Sequence, residues 1–516
     1  MIQENEQLRR NEHVNYGAIV PGPSTEDEIT PLLDAMDDPK IGISTQTLVS
    51  TAGSSTEPRR LWQFLAAISV TLGAFALGNV LSWTSPTEAY FKEKEFSPND
   101  ISWIGATMAA GAAIVVIPCG LLMDVLGRKK TMLLLVLPFV AGWVLLVFAD
   151  DLWMFILGRF ITGMMGGAFS LTAPAYTSEI ADDKVRGMLG SFFQLMVTFG
   201  ILFDYILGAA KVDVKVLTSV CAAIPLVFGI LFFTMPETPI QLLKFGKEEE
   251  ARKSLQKFRG PHYDIDEEIR ASKDALEKAE QMKLTFLQSF STKAAKKGLF
   301  ITVGLMVFQQ LSGVNAVIFY AATIFEQAGS SMEANTCTVI VGVMQVVATF
   351  ISTQIVDRLG RRILLLISDL VMSICCILLG VFFYLDEKED PVAKDIGWLP
   401  LLSVCLFIVV FSLGYGPIPW MMVGELFPPN IKGAASSISC MVNWIIAFLV
   451  TKFFSNVKEA LNLGPTFWIF AGISALGTIF VFFFVPETKG KSLAQIQREL
   501  GDDESEANIS DVPEKI

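Results

Sequence analysis

Histidine is nearly absent from this chain. There are two, His13 and His262, and neither lies in an apolar run, which argues against a histidine proton relay within a membrane. Charge is also scarce: 18% of residues are charged against 52% hydrophobic. A soluble domain carries about a quarter charged residues, so this balance argues against an ordinary soluble protein. The seven cysteines (Cys119, Cys221, Cys337, Cys375, Cys376, Cys405, Cys440) fall mostly in apolar runs without metal spacing. They read as small packing residues, with Cys337 expected near the outer face. No cleavable signal peptide is visible, and the first apolar run reads as a retained span. There is no nucleophile arrangement, metal set or phosphate loop, so no enzyme, cofactor or metal is expected. No Asn-x-Ser/Thr sequon falls in an expected outer loop; Asn508-Ile-Ser510 lies in the C-terminal tail.

What fills the chain is a succession of apolar runs near the length that crosses a bilayer, about 20 residues. They lie near 62–85, 101–123, 131–149, 152–176, 189–210, 217–235, 299–325, 336–356, 363–385, 398–423, 433–454 and 464–485. This pattern predicts an all-α membrane protein of twelve spans, with the lipid bilayer as its surroundings. Arg128, Lys129, Lys130, Lys184, Arg186, Arg358, Arg361, Arg362 and Lys432 follow spans 2, 4, 8 and 10, and the central loop holds many more basic residues. The opposite loops hold fewer, so both tails and the central loop are expected in the cytosol. Used this way, the basic clusters are topology signals, and no nucleic-acid partner is expected.

The expected organisation is a disordered cytosolic tail over 1–58, a six-helix bundle over 59–236, a cytosolic helical linker over 237–297, a second six-helix bundle over 298–488 and a cytosolic tail over 489–516. In the linker, the runs from Lys247 and Ile265 mix charges at helical spacing. They suit short helices that latch one half to the other, or a solvated linker. In the first tail, Glu28-Ile-Thr-Pro-Leu32-Leu33 fits the acidic dileucine pattern read by clathrin adaptors, a pattern short enough to recur by chance.

The most informative stretch is Gln309-Gln-Leu-Ser-Gly-Val-Asn-Ala-Val-Ile-Phe-Tyr320, inside span 7. Three carboxamides in such a run are costly unless they face a protein interior or a wet cavity. On a straight helix at about 100° per residue, Gln309, Gln310 and Asn315 fan around the axis and cannot share one cavity. A break at Ser312-Gly313 would let them converge, as broken helices do in transporter sites. Uncharged amides that both donate and accept suit a neutral polyhydroxyl ligand, and would equally tie helix to helix.

The two halves repeat. Asp124, Gly127, Arg128 and Lys129 after span 2 are echoed by Asp357, Gly360, Arg361 and Arg362 after span 8. Glu179 before Arg186-Gly187 is echoed by Glu425 before Lys432-Gly433, and Pro236-Glu-Thr238 by Pro486-Glu-Thr488. Matched signatures in the same order imply duplicated six-helix bundles with a substrate path between them.

Over about residues 60–493 the chain resembles the sugar-porter family of the major facilitator superfamily, which includes the animal facilitative glucose transporters. The resemblance rests on Gly158-Arg159 with Gly163 and Gly167, Pro174-Ala-Tyr-Thr-Ser-Glu179, Gln309 to Asn315, Gly416-Pro-Ile-Pro-Trp420, Asn443-Trp444 and Pro486 to Ser492. The run Ser412 to Trp420 and Trp83-Thr-Ser-Pro86 are most similar to the insect facilitated trehalose transporters. The resemblance implies the major facilitator fold and a sugar site lined by Gln194, Gln309, Gln310, Asn315, Gln345, Trp420 and Asn443. Gln345 stands where relatives often carry Asn. Phe319 and Tyr320 become outer-gate candidates. Asp124, Arg128, Glu179 and Arg186 would meet Asp357, Arg361, Glu425 and Lys432 to hold the cytosolic side shut. Two departures, Val125 and Ile240, replace basic residues of the pattern and weaken that network in the first half.

Proton-coupled relatives carry an acid in span 1, and Leu61 to Pro86 has none. Ser412 likewise stands where many relatives have Glu. Asp204, inside span 5, is a carboxylate that reads as hydrogen-bonded or wetted before it reads as a proton carrier. The expected function is a facilitative uniporter for trehalose, glucose or another hexose, with a proton–sugar symporter as the alternative. A non-transporting nutrient receptor would need a longer signalling tail. The expected address is the plasma membrane, with an endosomal or lysosomal membrane as the alternative.

Overall fold

The computed structural model describes residues 58–281, 290, 292–328, 332–491 and 493–501. Glu28, Leu32 and Leu33, with nearly all of the first tail and most of the last, lie outside the described residues.

Twelve helices are long and apolar enough to cross a membrane. Spans 1 to 6 are Leu61–Glu93, Pro98–Leu126, Arg128–Val147, Leu152–Ile180, Lys184–Ala209 and Val214–Phe233. Spans 7 to 12 are Lys293–Phe319, Ala334–Leu359, Arg361–Glu387, Leu399–Glu425, Ile431–Leu461 and Leu463–Phe484. No strand occurs among the described residues. Several helices outrun their apolar runs, because a helix stops at a cap and not where hydropathy falls. Span 2 begins with a capping box: Ser97 Oγ accepts from Asp100 N while the Asp100 carboxylate accepts from Ser97 N. It ends at Gly127, and span 8 ends at the matching Gly360, with φ +91° and +92°.

Packing within the halves follows the same list shifted by six. In the first half, span 2 packs on 4, 3 on 4, 3 on 6 and 1 on 5. In the second, 8 packs on 10, 9 on 10, 9 on 12 and 7 on 11. These are the two expected six-helix bundles. They meet where span 2 lies on span 11 and span 5 on span 8. Small residues let backbones touch: a Cβ at Gly163 would stand 2.0 Å from the Met108 carbonyl oxygen.

The linker forms helices Pro239–Lys244, Glu248–Arg259 and Asp266–Gln281. Leu242, Ala251, Leu255 and Ile269 make a small core of their own. Gln63, at the start of span 1, donates to Phe258 O at 3.1 Å, and Arg259 donates to Ile180 O at the end of span 4 at 2.8 Å. These contacts fasten the linker to the first half, where a latch between the halves was one expectation. The end of the bundle that bears the linker is termed the basal end below, and the opposite one the far end.

Two spans are broken. Span 7 stops at Leu311 and restarts over Val314–Phe319, with Gly313 between them at φ +89°. Span 10 is split into Leu399–Leu413 and Ile418–Glu425. A Cβ at Gly313 would lie 2.7 Å from Phe470 Cδ2, and the left-handed backbone there costs other residues about 1–2 kcal/mol. Gly313→Ala is therefore expected to lower the thermal unfolding midpoint of the detergent-solubilised protein clearly, while Gly472→Ala, whose Cβ meets open space, leaves it nearly unchanged.

Candidate functional site

The break in span 7 brings the three carboxamides together. Gln309 Nε2 donates to Tyr415 O at 2.6 Å and Gly416 O at 3.0 Å, both in the break of span 10. Asn443 of span 11 donates from Nδ2 to Gln309 Oε1 at 2.7 Å, and its Oδ1 accepts from Gln310 Nε2 at 2.9 Å. Asn315 Nδ2 donates to Gln310 Oε1. Four amides from spans 7 and 11 thus form one chain against the broken backbone of span 10. Both N–H groups of Gln309 are committed to span 10. Gln310 and Asn315 each keep a second N–H, and each residue retains about 6% exposure, so each has a donor left over.

The other expected lining residues stand on neighbouring spans without a bond to this chain. Gln345 is buried on span 8; Gln194 on span 5 and Trp420 on span 10 are half-buried. Spans 5 and 8 pack across the boundary between the halves.

Phe319 and Tyr320 are buried towards the far end. Tyr320 stacks on Phe454 with centroids 5.1 Å apart, and Tyr205 Oη donates to Ile318 O at 2.8 Å. Several cross-half contacts close this end. Ala322 N donates to Ser85 Oγ at 3.3 Å, Thr323 donates to Glu88, and Lys92 pairs with Glu326 at 3.1 Å. Lys452 Nζ donates to Asn99 Oδ1 at 2.7 Å and Ser102 Oγ at 2.9 Å.

At the basal end the duplicated signatures build the same cluster twice. Arg128 pairs with Glu179 at 2.9 Å, Thr238 donates to Glu179 at 2.5 Å, and Glu237 accepts from the backbone of Arg128, Lys129 and Thr238. In the second half Arg361 pairs with Glu425 at 2.9 Å, Thr488 donates to Glu425 at 2.5 Å, and Glu487 accepts from the backbone of Arg361, Arg362 and Lys489. Asp124 and Asp357 lie 3.7 Å and 2.9 Å from Arg128 and Arg361. These pairs run inside each half, where the motifs had suggested pairs between halves. Lys432 lies near both Glu425 and Arg186, so Arg186 and Lys432 bring like charges from the two halves together.

Two acids are fully buried within spans. Asp204 is held by three donors: Asn79 at 2.7 Å, Ser82 at 2.9 Å and Cys221 at 3.4 Å. It is hydrogen-bonded, one of the two expectations for it. Asp369 on span 9 was missed in the sequence, although an acid in mid-span is a signal in itself. Cys337 is buried in the first turn of span 8, at the far end.

A family model described as sugar (and other) transporter matches residues 63–500. The chain is 41% identical over 456 residues to the facilitated trehalose transporter Tret1 of Aedes aegypti, covering 86% of this chain and 56% of that protein. It is 39% identical over 466 residues to Tret1 of Bombyx mori, covering 90% and 92%. The chain spans little more than half the length of the Aedes relative. Among solved structures it is similar to the xylose transporter XylE from E. coli in a partially occluded inward-open conformation, with TM-score 0.72, 25% identity, and coverage of 84% of this chain and 100% of that one. The proton:xylose symporter XylE bound to 6-bromo-6-deoxy-D-glucose gives TM-score 0.71, 26% identity, and coverage of 85% and 99%.

The twin basal clusters differ in one respect. Burial pushes the Glu237 carboxyl above its ordinary 4.5 despite its N–H donors. At Glu487 burial acts the same way, but the N–H groups of Lys489, Arg361, Arg362 and Thr488 prevail and hold it below 4.5. A depressed folded-state value stabilises above the unfolded one and is lost as pH falls through the folded one. Glu487→Gln should therefore lower the thermal midpoint more at about pH 7 than at about pH 4, and Glu237→Gln should show the opposite trend.

Proposed function

Because the chain belongs to the sugar (and other) transporter family, we propose that it is a facilitative transporter of a neutral sugar, working by alternating access between its halves. The observation that carries this reading is the uncharged amide chain of Gln309, Gln310, Asn315 and Asn443 at the breaks of spans 7 and 10. Amides donate to and accept from hydroxyls without the desolvation cost of a charge. Gln194, Gln345 and Trp420 complete the lining, with the Trp420 ring against the apolar C–H face of a pyranose. The name of the insect relatives favours trehalose, ahead of glucose or another hexose. The basal charges Asp124, Arg128, Glu179, Arg186, Asp357, Arg361, Glu425 and Lys432, with Phe319 and Tyr320 at the other end, act as gates.

A proton-coupled mechanism is the second reading, raised by Asp204 and by the likeness to a proton:xylose symporter. Uniport is favoured by the three donors that hold Asp204 and by the lack of an acid in Leu61 to Pro86. We place the halves at 59–236 and 298–488, both termini in the cytosol, and the protein in the plasma membrane, with an endosomal or lysosomal membrane as the alternative. The motif at Glu28, Leu32 and Leu33 would engage a clathrin adaptor.

Proteoliposomes loaded with trehalose or glucose are expected to show saturable counterflow that ignores a pH gradient. Uptake that needs an inward proton gradient and vanishes in Asp204→Asn would establish symport instead. Gln309→Ala should raise the half-saturation constant by about ten-fold at near-normal expression. Unchanged transport in that variant would refute the site.

A further inference from the structure

Asp369 sits in the middle of span 9, fully buried, and neither of its oxygens has a full hydrogen bond among the described residues. A carboxyl so placed is costly unless a partner stands at hand. The polar group beside it is the hydroxyl of Tyr415, equally buried and with no other partner. In this conformation the two stand side by side, short of full hydrogen-bond geometry. Gly477 of span 12 closes another side: a Cβ there would lie 2.2 Å from Asp369 Oδ2. The carboxyl is therefore pressed between spans 10 and 12, with the Tyr415 hydroxyl as its neighbour.

The preceding residue on span 9 holds the other end of Tyr415. Tyr415 N donates to Ser368 Oγ at 3.3 Å, and Ser368 donates onward to Val410 O at 2.8 Å. Consecutive residues of span 9 thus meet one residue in the break of span 10, Ser368 bonding its main chain and Asp369 adjoining its side chain. The carbonyl of that residue receives Gln309 Nε2. From Gln309 the chain runs through Asn443 to Gln310.

We propose that Asp369 is a positioning residue. Its contact with the Tyr415 hydroxyl fixes the broken stretch of span 10, and through Gln309 it sets the orientation of the amides that meet the sugar. This inference rests on reading the amide chain as the sugar site. It assigns a role in affinity to two residues that touch no sugar.

The test is counterflow of labelled trehalose and labelled glucose in proteoliposomes, with the half-saturation constant and the maximal rate read separately. Tyr415→Phe keeps the ring and removes only the hydroxyl. It should raise the half-saturation constant about five-fold with the maximal rate within about two-fold. Asp369→Leu should do the same, while Asp369→Asn, which keeps an oxygen for the hydroxyl, restores near-normal affinity. If Asp369→Leu does not fold, Tyr415→Phe and Asp369→Asn decide the matter. Adding Tyr415→Phe to Gln309→Ala should give no further loss, since both act through one path. A rise below about three-fold in Tyr415→Phe, or losses that simply add in the double variant, would overturn the proposal while leaving the site intact. No effect of Gln309→Ala on its own would overturn the site reading, and this inference with it.

Discussion

Inside a bilayer every backbone polar group needs a partner, and span 10 creates vacancies by its own sequence: Pro417 leaves the Leu413 carbonyl without a helical donor, and Ser352 Oγ supplies one at 3.1 Å. Pro419 has no N–H, so the Tyr415 carbonyl four residues earlier has no helical donor. Gln309 of span 7 supplies it at 2.6 Å and reaches the Gly416 carbonyl as well. A side chain that mends a backbone must be held in one orientation, and Asn443 holds it by its oxygen. Gln309 thus secures the break, and Gln310 and Asn315 keep a donor each beyond it, the capacity that the proposed sugar site would use.

The same economy appears at the basal end. One set of residue types, an Arg at a helix start, a Glu at the end of another span and a Pro-Glu-Thr turn, folds into the same hydrogen-bond pattern in each half. In both, the turn carboxylate accepts backbone N–H groups at the start of a helix, where donors are unpaired and the dipole favours negative charge. Burial opposes the charge at both, but Glu487 has four backbone N–H donors, while Glu237 has fewer and faces the like charge of Glu179, which moves the two in opposite directions from a common starting value.

Much of this was legible in the chain. Apolar runs located the spans because hydrocarbon thickness sets their length. The repeated signatures located the halves. The carboxamides around Ser312-Gly313 marked a break because no straight helix could satisfy them together. Which partner each group chose was not legible. Arg128 and Glu179 read as well for a bond across the halves as within one, since sequence spacing carries no crossing angle. Asp369 was legible as an acid in mid-span but its surroundings were not, since an apolar run gives no sign of the Tyr415 and Gly477 beside it. Helix ends were misplaced where caps, such as the Ser97 box, carry the helix past the apolar run.

The distribution of interaction strength argues for how such a molecule moves. The contacts that close the far end across the halves include the Lys92–Glu326 pair, whose side chains are 48% and 67% exposed. Exposed pairs of this kind contribute about 0–1 kcal/mol, and the hydrogen bonds beside them about 1 kcal/mol where both partners are neutral and about 1.5–3 kcal/mol where one is charged, as at Glu88 and Lys452. Inside each half the pairs Arg128–Glu179 and Arg361–Glu425 are shielded, share further donors, and would leave a buried charge if one partner were lost. At the Lys92–Glu326 pair the two halves are therefore tied less strongly than the charge clusters tie each half within itself. The proposed rocking about a central site would draw on that difference: the exposed pair can part at little cost, while the shielded pairs inside each half keep their partners.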